Sequence, residues 1–229
     1  MRELVLDTET TGFEPETGDR IVEIGAVELI GHMPTGKTYH QYINPQRDMP
    51  QEAFEIHGLS IDFLRDKPVF TDIAQEFLDF IGDATLVIHN ASFDMKFLNA
   101  ELKWAGKPIL PMERALDTLA LARKKHPGAQ ASLDALCRRY NIDNSERTLH
   151  GALLDSEILA EVYLELIGGR QPDFGLGDDD DYDASGSGEK WRAMPRPEPL
   201  APRISEQEAA AHKAFVEAMG DGAFWKKFS

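Results

Sequence analysis

The stretch LVLDTETTGF, residues 4–13, decides the fold, because an apolar strand runs directly into two carboxylates and a Thr-Thr-Gly turn. Successive side chains of a strand point to opposite faces, so Asp7 and Glu9 are expected side by side on one face. Two anions at that separation repel each other and resist desolvation unless a cation lies between them. The pattern therefore predicts a metal site at the end of the first strand. In the simpler alternative, Asp7 begins a turn and Glu9 faces water.

The composition limits the class of protein. The chain has 229 residues, of which 42% are hydrophobic, enough for one well-buried domain plus an appendage or for two small domains. No run of about 18 apolar residues occurs, and Met1 leads directly into a strand pattern, so we expect a cytoplasmic protein without a membrane segment. The single cysteine, Cys137, excludes an intrachain disulfide and is expected to be a small buried side chain.

The charge balance is strongly acidic. There are 24 Lys and Arg against 40 Asp and Glu, which gives a formal net charge of −16. Such a chain is repelled by nucleic acid at long range. A nucleic-acid substrate would therefore have to be handled by local cations, by bound metals or by a partner that brings it to the site.

Residues 1 to about 167 have alternating strand and helix patterns. Strands are predicted in ELVLDTE (3–9), RIVEIGAVELI (20–30), TYHQYIN (38–44), TLVIHN (85–90) and RALD (114–117). Helices are predicted in FTDIAQEFLDFIG (70–82), SFDMKFLNAELKWAG (92–106), DTLALARKKH (117–126), SLDALCRRY (132–140) and GALLDSEILAEVYLELIG (151–168). Three early strands in a meander, followed by strand and helix alternation, predict an α/β fold with a mixed five-stranded sheet flanked by helices.

The pattern changes after residue 169. Residues 170–204 are rich in Gly, Pro, Ser and Asp and predict a flexible linker. Residues 205–229 begin with a capping box, Ser205 and Glu208, and continue as a helix with an apolar stripe. The chain ends in FWKKFS, which contains three aromatic residues.

Three further residues extend the first acidic pair. Asp94 follows the strand LVIHN and falls in the first turn of the next helix, while His150 and Asp155 lie at the start of the last predicted helix of the core. Positions five residues apart on a helix point about 140° away from each other. His150 therefore has to lie in the loop before Gly151, outside the helix, if its side chain and that of Asp155 are to reach one site. Taken singly, Asp94 could instead stabilise its helix by interacting with the helix dipole, and His150 could be a surface or capping residue.

Together, D-x-E, H-N-x-x-F-D and H-x-x-x-x-D resemble the three exonuclease motifs of the DEDD superfamily, His subtype. The stretches DTETTGF, DRIVEIGAVEL, EAFEIHGLS, LVIHNASFD and SLDALCRRYNIDNSERTLHGALLDSEILAEVYLELIGG are similar to the family of proofreading ε subunits of bacterial DNA polymerase III. The similarity is strong over about residues 3–170 and weak in the tail. It implies a ribonuclease H-like exonuclease domain over residues 1–169 and 3′–5′ removal of mismatched nucleotides from DNA ends as nucleoside 5′-monophosphates.

The resemblance also implies a role for each residue. Four carboxylates, those of Asp7, Glu9, Asp94 and Asp155, would hold two Mg²⁺ or Mn²⁺ ions. Asp7, Glu9 and Asp155 would also contact the substrate. Asp7 would bridge both ions, Glu9 and Asp155 would ligate directly, and Asp94 would act through water. His150 would be the catalytic base.

Two substrate contacts carry over from the family. Glu52 and His57 would contact the terminal nucleotide beside the backbone of residues 8–12. Without the resemblance, His57 would be interpreted as a helix-end histidine that is hydrogen-bonded to a neighbouring loop.

The tail carries two predicted contacts. QPDFGL, residues 171–176, fits the loose clamp-binding pattern, so Gln171, Phe174 and Leu176 are expected to contact a sliding clamp, although such a pattern also arises by chance. Residues 205–229 resemble the segment that holds the polymerase α subunit. The predicted docking residues are Phe215, Phe224, Trp225 and Phe228. The alternative is that these aromatics fold back onto the catalytic domain.

Two rival functions remain open. A free 3′–5′ exoribonuclease of the RNase T or oligoribonuclease kind would have the same chemistry but would need no tail. A binding module that has lost the reaction would keep the fold, yet all four acids and the histidine are present in this sequence.

Overall fold

Five strands form one sheet in the computed structural model, which describes residues 1–145, 147, 149–169 and 204–219. The strands are β1 (Arg2–Thr10), β2 (Ile21–Ile30), β3 (Met33–Tyr42), β4 (Thr85–Ile88) and β5 (Ala115–Asp117). Their order in the sheet is β3-β2-β1-β4-β5. The first three strands are an antiparallel meander, whereas β4 is parallel to β1 and β5 is parallel to β4. The predicted α/β fold with a mixed five-stranded sheet is confirmed.

Eight α-helices occur among the described residues. They are α1 (Gln51–His57), α2 (Ile61–Leu64), α3 (Phe70–Ile81), α4 (Ala91–Trp104), α5 (Thr118–Lys125), α6 (Leu133–Tyr140), α7 (Ala152–Leu166) and α8 (Glu206–Ala218). Each predicted helix of the core is present, with its ends shifted by two residues at most.

Two details differ from the prediction. Strand β3 begins at Met33, five residues before the predicted start, because its first six residues are exposed and carry no alternation of apolar side chains. Helices α1 and α2 were not predicted. They span only seven and four residues, too few for an apolar period to appear, and α1 buries only Ala53 and His57.

The core lies on both faces of the sheet. Leu4 and Leu6 of β1 point to one face and pack with the apolar residues of α3 and α4. Val5 points to the other face and packs with α5, α6 and α7. Cys137 is fully buried in this second cluster, as predicted. The alternating side chains of β1 thus place this strand between two helical layers. Its last residues, Asp7 to Thr10, form the carboxyl end of the strand.

Helix α8 belongs to a separate unit of the chain. The predicted capping box is present: the Oγ of Ser205 accepts a hydrogen bond from the backbone N of Glu208 at 3.3 Å, and the backbone N of Ser205 donates to the Glu208 carboxylate at 2.9 Å. Within the part of the chain that the structure describes, no helix is long and apolar enough to cross a membrane.

Candidate active site

The site lies at the carboxyl end of β1, where Asp7 and Glu9 still pair with β2 but lie beyond Val5, the last residue of β1 that pairs with β4. Asp94 arrives from the neighbouring parallel strand β4, because Asn90 adopts a left-handed conformation with φ 65° and turns the chain into α4. The Oδ1 of Asp94 accepts hydrogen bonds from the backbone N of Thr8 at 3.1 Å and from its Oγ1 at 2.7 Å. These two bonds fix the Asp94 carboxylate against the residue that separates Asp7 from Glu9.

Helix α7 reaches the site by direct contact with the backbone of β2. Gly25 pairs with Asp7 across the sheet, and the first turn of α7 packs on this glycine. The Oγ of Ser156 donates to the carbonyl oxygen of Gly25 at 3.0 Å. Because this contact sets the height of the helix above the sheet, Asp155 lies near the two acids of β1.

His150 lies in the loop before Gly151, which is the N-cap of α7, as the helical geometry required. Its backbone N donates to the carbonyl oxygen of Ile56 in α1 at 3.1 Å. Its Nδ1 is 3.5 Å from the Oδ2 of Asp155, and half of the imidazole is exposed. One ligand atom from each of Glu9, His150 and Asp155 lies within 4.8 Å of the others. The predicted acids and histidine are therefore brought together.

Three of the four carboxyl groups resist ionisation in this arrangement. Burial, together with the charges of Asp94, Glu9 and Asp155, raises the pKa of Asp7 well above its usual value. Burial and nearby acids, with Asp155 the largest of them, raise the pKa of Glu9 to about 8. Burial raises the pKa of Asp94 to about 7, even though the hydrogen bonds from Thr8 lower it. A donor set of clustered carboxylate oxygens fits a hard divalent cation, which would relieve this repulsion.

Arg147 is a member of the site that the sequence analysis missed. Its Nε is 2.5 Å from the Oδ1 of Asp155, and its Nη2 is 2.8 Å from the Oδ2. Burial opposes ionisation of Asp155, but hydrogen bonds from His150 and Arg147 outweigh it and hold the pKa of Asp155 below its usual value. A single arginine in a polar loop carries no signal in the sequence, because such residues are usually solvated.

A cavity of about 450 Å³ opens on one side of the cluster. It is lined by residues 8–14 and by α1, which contributes Glu52 and His57. His57 is 5% exposed, and its Nδ1 accepts a hydrogen bond from the backbone N of Leu59 at 3.0 Å, while its Nε2 has no hydrogen-bond partner among the described residues. Burial lowers the pKa of His57. A neutral ring nitrogen is thus left at the cavity that the sequence analysis assigned to the terminal nucleotide.

Two aromatic side chains of this cavity were not singled out from the sequence. Phe13 is 75% exposed, and its ring lies edge-on to Phe93 with 6.4 Å between the ring centroids. Both line the cavity beside residues 8–14. Their one signal in the sequence is proximity to the acid motifs, since Phe13 follows TETTG and Phe93 precedes Asp94.

A second cavity of about 460 Å³ lies on the side of α7. Asp7, His150 and Asp155 line it together with two cations, Arg123 and Arg147. Because Arg147 is paired with Asp155 and Asp134, the local positive charge of this cavity comes from Arg123.

Most of the residues predicted to make contacts in the tail lie outside the described residues, namely Gln171, Phe174, Leu176, Phe224, Trp225 and Phe228. Phe215 is on α8, where its side chain is 66% exposed.

The fold and the acid cluster agree with a known class of enzyme. The sequence model of the family described as Exonuclease matches residues 4–163. Among solved structures, Exonuclease X in complex with 5′ overhanging duplex DNA aligns with a TM-score of 0.57 at 27% identity, over 72% of this chain and 90% of that one. The nuclease domain of 3′hExo, described as a DEDDh family member bound to rAMP, aligns with a TM-score of 0.63 at 20% identity, over 72% of this chain and 91% of that one. These similarities confirm the ribonuclease H-like exonuclease fold.

Similar sequences narrow the class. DNA polymerase III subunit epsilon of Rickettsia felis is 56% identical over 181 residues, which are 78% of this chain and 79% of that protein. The protein of the same name from Escherichia coli is 42% identical over 236 aligned positions, which cover 98% of this chain and 97% of that protein. The chain therefore belongs to the exonuclease family and, within it, to the DNA polymerase III epsilon subunits.

Proposed function

We propose that this protein is the proofreading 3′–5′ exonuclease of a bacterial replicative DNA polymerase. The observation that carries the proposal is the grouping of Glu9, Asp155 and His150 at one end of β1, with Asp7 next to these acids and Asp94 fixed on Thr8, beside a cavity large enough for a nucleotide. Exonucleases of this family depend on a divalent metal, and carboxylate oxygens of Glu9 and Asp155 lie close enough together to bind one, with His150 beside them.

The four carboxylates would hold two Mg²⁺ or Mn²⁺ ions, for which hard oxygen ligands are suited. When bound, such a pair of ions stabilises both the attacking and the leaving oxygen of an in-line phosphoryl displacement. Within this set, Asp94 is already engaged by two hydrogen bonds from Thr8, so a contact through water suits it better than direct ligation.

The remaining residues bind the substrate and move a proton. His150, half exposed and next to Asp155, accepts the proton of the attacking water. The terminal nucleoside enters the cavity of residues 8–14, where Glu52 and the unpaired Nε2 of His57 are available as hydrogen-bonding partners. Each turnover releases one nucleoside 5′-monophosphate.

The partners follow from charge and from the tail. A chain with a net charge of −16 gains little from long-range attraction to DNA, so a tether to the polymerase supplies the local concentration instead. We assign polymerase α-subunit binding to residues 205–229 and sliding-clamp binding to residues 171–176, with 170–204 as the linker. A protein of the replication machinery in a bacterium acts in the cytoplasm.

A free exoribonuclease of the RNase T or oligoribonuclease kind is less well supported. The Exonuclease family model ends at residue 163, so a free nuclease would have no use for the long segment beyond that domain. In contrast, the Escherichia coli epsilon subunit aligns with 98% of this chain, including most of the residues beyond 169.

The test is a nuclease assay on a primer with a mismatched 3′ nucleotide, with Mg²⁺ or Mn²⁺ and with EDTA as the metal-free control. The protein should release mononucleotides from the 3′ end and should prefer DNA to RNA of the same sequence. Asp7→Asn and Asp155→Asn should abolish release, while the exposed Asp62→Asn, which lies on α2 outside the site, should not. Metal-independent cleavage, or equal cleavage by the Asp7→Asn variant, would refute the assignment.

A further inference from the structure

Arg147 holds four atoms of the candidate site at once. Its Nε and Nη2 pair with the two carboxylate oxygens of Asp155 at 2.5 and 2.8 Å. Its Nη2 is also 2.9 Å from the Nδ1 of His150, and its Nη1 is 2.8 Å from the Oδ1 of Asp134. The side chain is only 9% exposed, so this is a desolvated, two-pronged ion pair of the strong kind.

The pair uses the oxygens that a metal needs. Asp155 has two carboxylate oxygens, and both accept a hydrogen bond from Arg147. The same carboxylate has an oxygen within 4.8 Å of ligand atoms of Glu9 and His150. A guanidinium and a divalent cation therefore balance the same negative charge and compete for the same two carboxylate oxygens.

Arg147 has a second anion at hand. Asp134 on α6 accepts from the Nη1 of Arg147 and also from the Nδ2 of Asn144 at 3.0 Å, and its side chain is 46% exposed. The guanidinium can thus release Asp155 without becoming an unpaired buried charge, which would be strongly unfavourable.

We propose that Arg147 is a positioning residue that competes with the metal for Asp155. In the metal-free protein it holds Asp155 and His150 in place, and the metal binds as the guanidinium gives up Asp155 and keeps Asp134. The inference rests on the proposed function, because it takes Asp155 to be a metal ligand. Arg147 lowers the affinity for the metal in exchange for a site that stays ordered without it.

The test is Mn²⁺ binding to the full chain in the absence of DNA, measured by isothermal titration and by electron paramagnetic resonance of free Mn²⁺. Arg147→Gln should bind Mn²⁺ more tightly than the parent by a factor on the order of ten, or about 1.4 kcal/mol. Its melting temperature in EDTA should be lower than that of the parent, and the increase on adding Mn²⁺ should be larger. Arg147→Lys keeps the charge but not the two-pronged geometry, so its affinity should fall between the two.

Arg20→Gln is the matched control. Arg20 also makes a two-pronged pair with a buried carboxylate, that of Glu101, at 2.7 and 2.8 Å, but this pair is not in the cluster. The control should lose stability and keep the Mn²⁺ affinity of the parent.

The outcomes distinguish a failure of the proposed competition from a failure of the proposed metal site. If the parent binds Mn²⁺ and both Arg147 variants bind it equally or more weakly, the competition is refuted and the proposed function stands. If Arg147→Gln is too unstable to purify in EDTA, the Arg147→Lys titration decides alone. If the parent binds no Mn²⁺, or if Asp155→Asn does not change the binding, then the proposed metal site fails and the inference fails with it.

Discussion

A Cβ atom built on Gly25 would lie 2.2 Å from the carbonyl carbon of Ala152, so β2 and the first turn of α7 meet backbone to backbone. Any side chain at position 25 would have to move the helix. Since α7 carries Asp155 and follows His150, this one contact sets where both residues stand above Asp7, the strand partner of Gly25.

Gly25→Ala should therefore damage both stability and activity. We expect the free energy of unfolding to fall by about 1–3 kcal/mol, as in other overpacked sites. A shift of α7 by about 1 Å should slow nucleotide release on the order of 10²-fold. Urea unfolding and single-turnover cleavage measure the two effects. Gly151→Ala, which adds the same methyl group at the N-cap of α7, is the control: a Cβ there meets no atom within 4 Å, so its effect on stability should be limited to that of the cap. If Gly25→Ala cleaves at the rate of the parent, the contact does not position the site.

His150→Ala tests the proposed base. Removal of a general base should slow the chemical step by about 10² to 10⁴-fold, while Mn²⁺ binding and the melting temperature stay close to those of the parent. His126→Ala serves as the control, since His126 is hydrogen-bonded to the Tyr140 hydroxyl at 2.7 Å, outside the cluster. A His150→Ala protein that cleaves as fast as His126→Ala would remove His150 from the mechanism.

The clustered acids predict how stability depends on pH without metal. Glu9 has a pKa of about 8 in the fold against an ordinary value of 4.5, so between these pH values the folded protein holds a proton that the unfolded chain has lost. The free energy of unfolding in EDTA should therefore fall as pH rises through this window, by up to about 1.4 kcal/mol per pH unit for one such group. The raised pKa of Asp94 acts in the same direction up to about pH 7.

Urea unfolding in EDTA at pH 5, 7 and 9 measures this effect. Glu9→Gln should flatten the dependence, and saturating Mn²⁺ should reverse it, because a bound metal needs deprotonated ligands. Metal-free stability that rises steadily from pH 5 to pH 9 would show that the acids do not repel one another as described.

Much of the site could be predicted from local sequence rules. The two-residue period of a strand put Asp7 and Glu9 on one face, and the angle between positions on a helix put His150 in the loop before Gly151. The strand-to-helix pattern put Asp94 in the first turn of a helix, but its membership of the site was implied only by the resemblance to the DEDD exonucleases. Such rules describe positions a few residues apart in the chain. They predicted relative positions correctly where both residues belong to one strand or to the start of one helix.

The parts that were missed depend on contacts between distant elements. Arg147 meets Asp134 and Asp155 through a loop, and no periodicity marks a loop residue that will be buried. Gly25 did leave a signal, since a glycine inside the apolar strand IVEIGAVEL indicates a close backbone approach. What the sequence could not tell was which element would approach it.

The clamp contact stays a prediction from sequence. Gln171→Ala combined with Phe174→Ala should weaken binding to the sliding clamp on the order of tenfold or more. The double variant removes both the apolar side chain expected to anchor the segment and the side chain expected to form its hydrogen bond. Cleavage of free DNA should not change, since residues 7–155 contain the whole cluster. Surface-immobilised clamp titrated with both proteins measures the difference. Pro172→Ala is the control, and equal affinity of the double variant and the parent would make QPDFGL a linker segment only.

Division of the chain near residue 180 should separate cleavage from polymerase binding. Residues 1–180 keep every acid of the cluster and both apolar layers of the sheet, so this fragment should cleave a mismatched 3′ end at the rate of the full chain.

Residues 190–229 keep α8, a capped helix on which Phe215 and Met219 are 66% and 50% exposed, and they also keep Phe224, Trp225 and Phe228. An exposed apolar face of this kind suits docking into a groove of a partner. A pull-down with the polymerase subunit should therefore capture residues 190–229 and not residues 1–180. Full chain with Phe215→Ala and Trp225→Ala should lose the polymerase and keep its cleavage rate. Capture of the core fragment without the tail fragment would reverse the assignment and place the polymerase contact on the exonuclease domain.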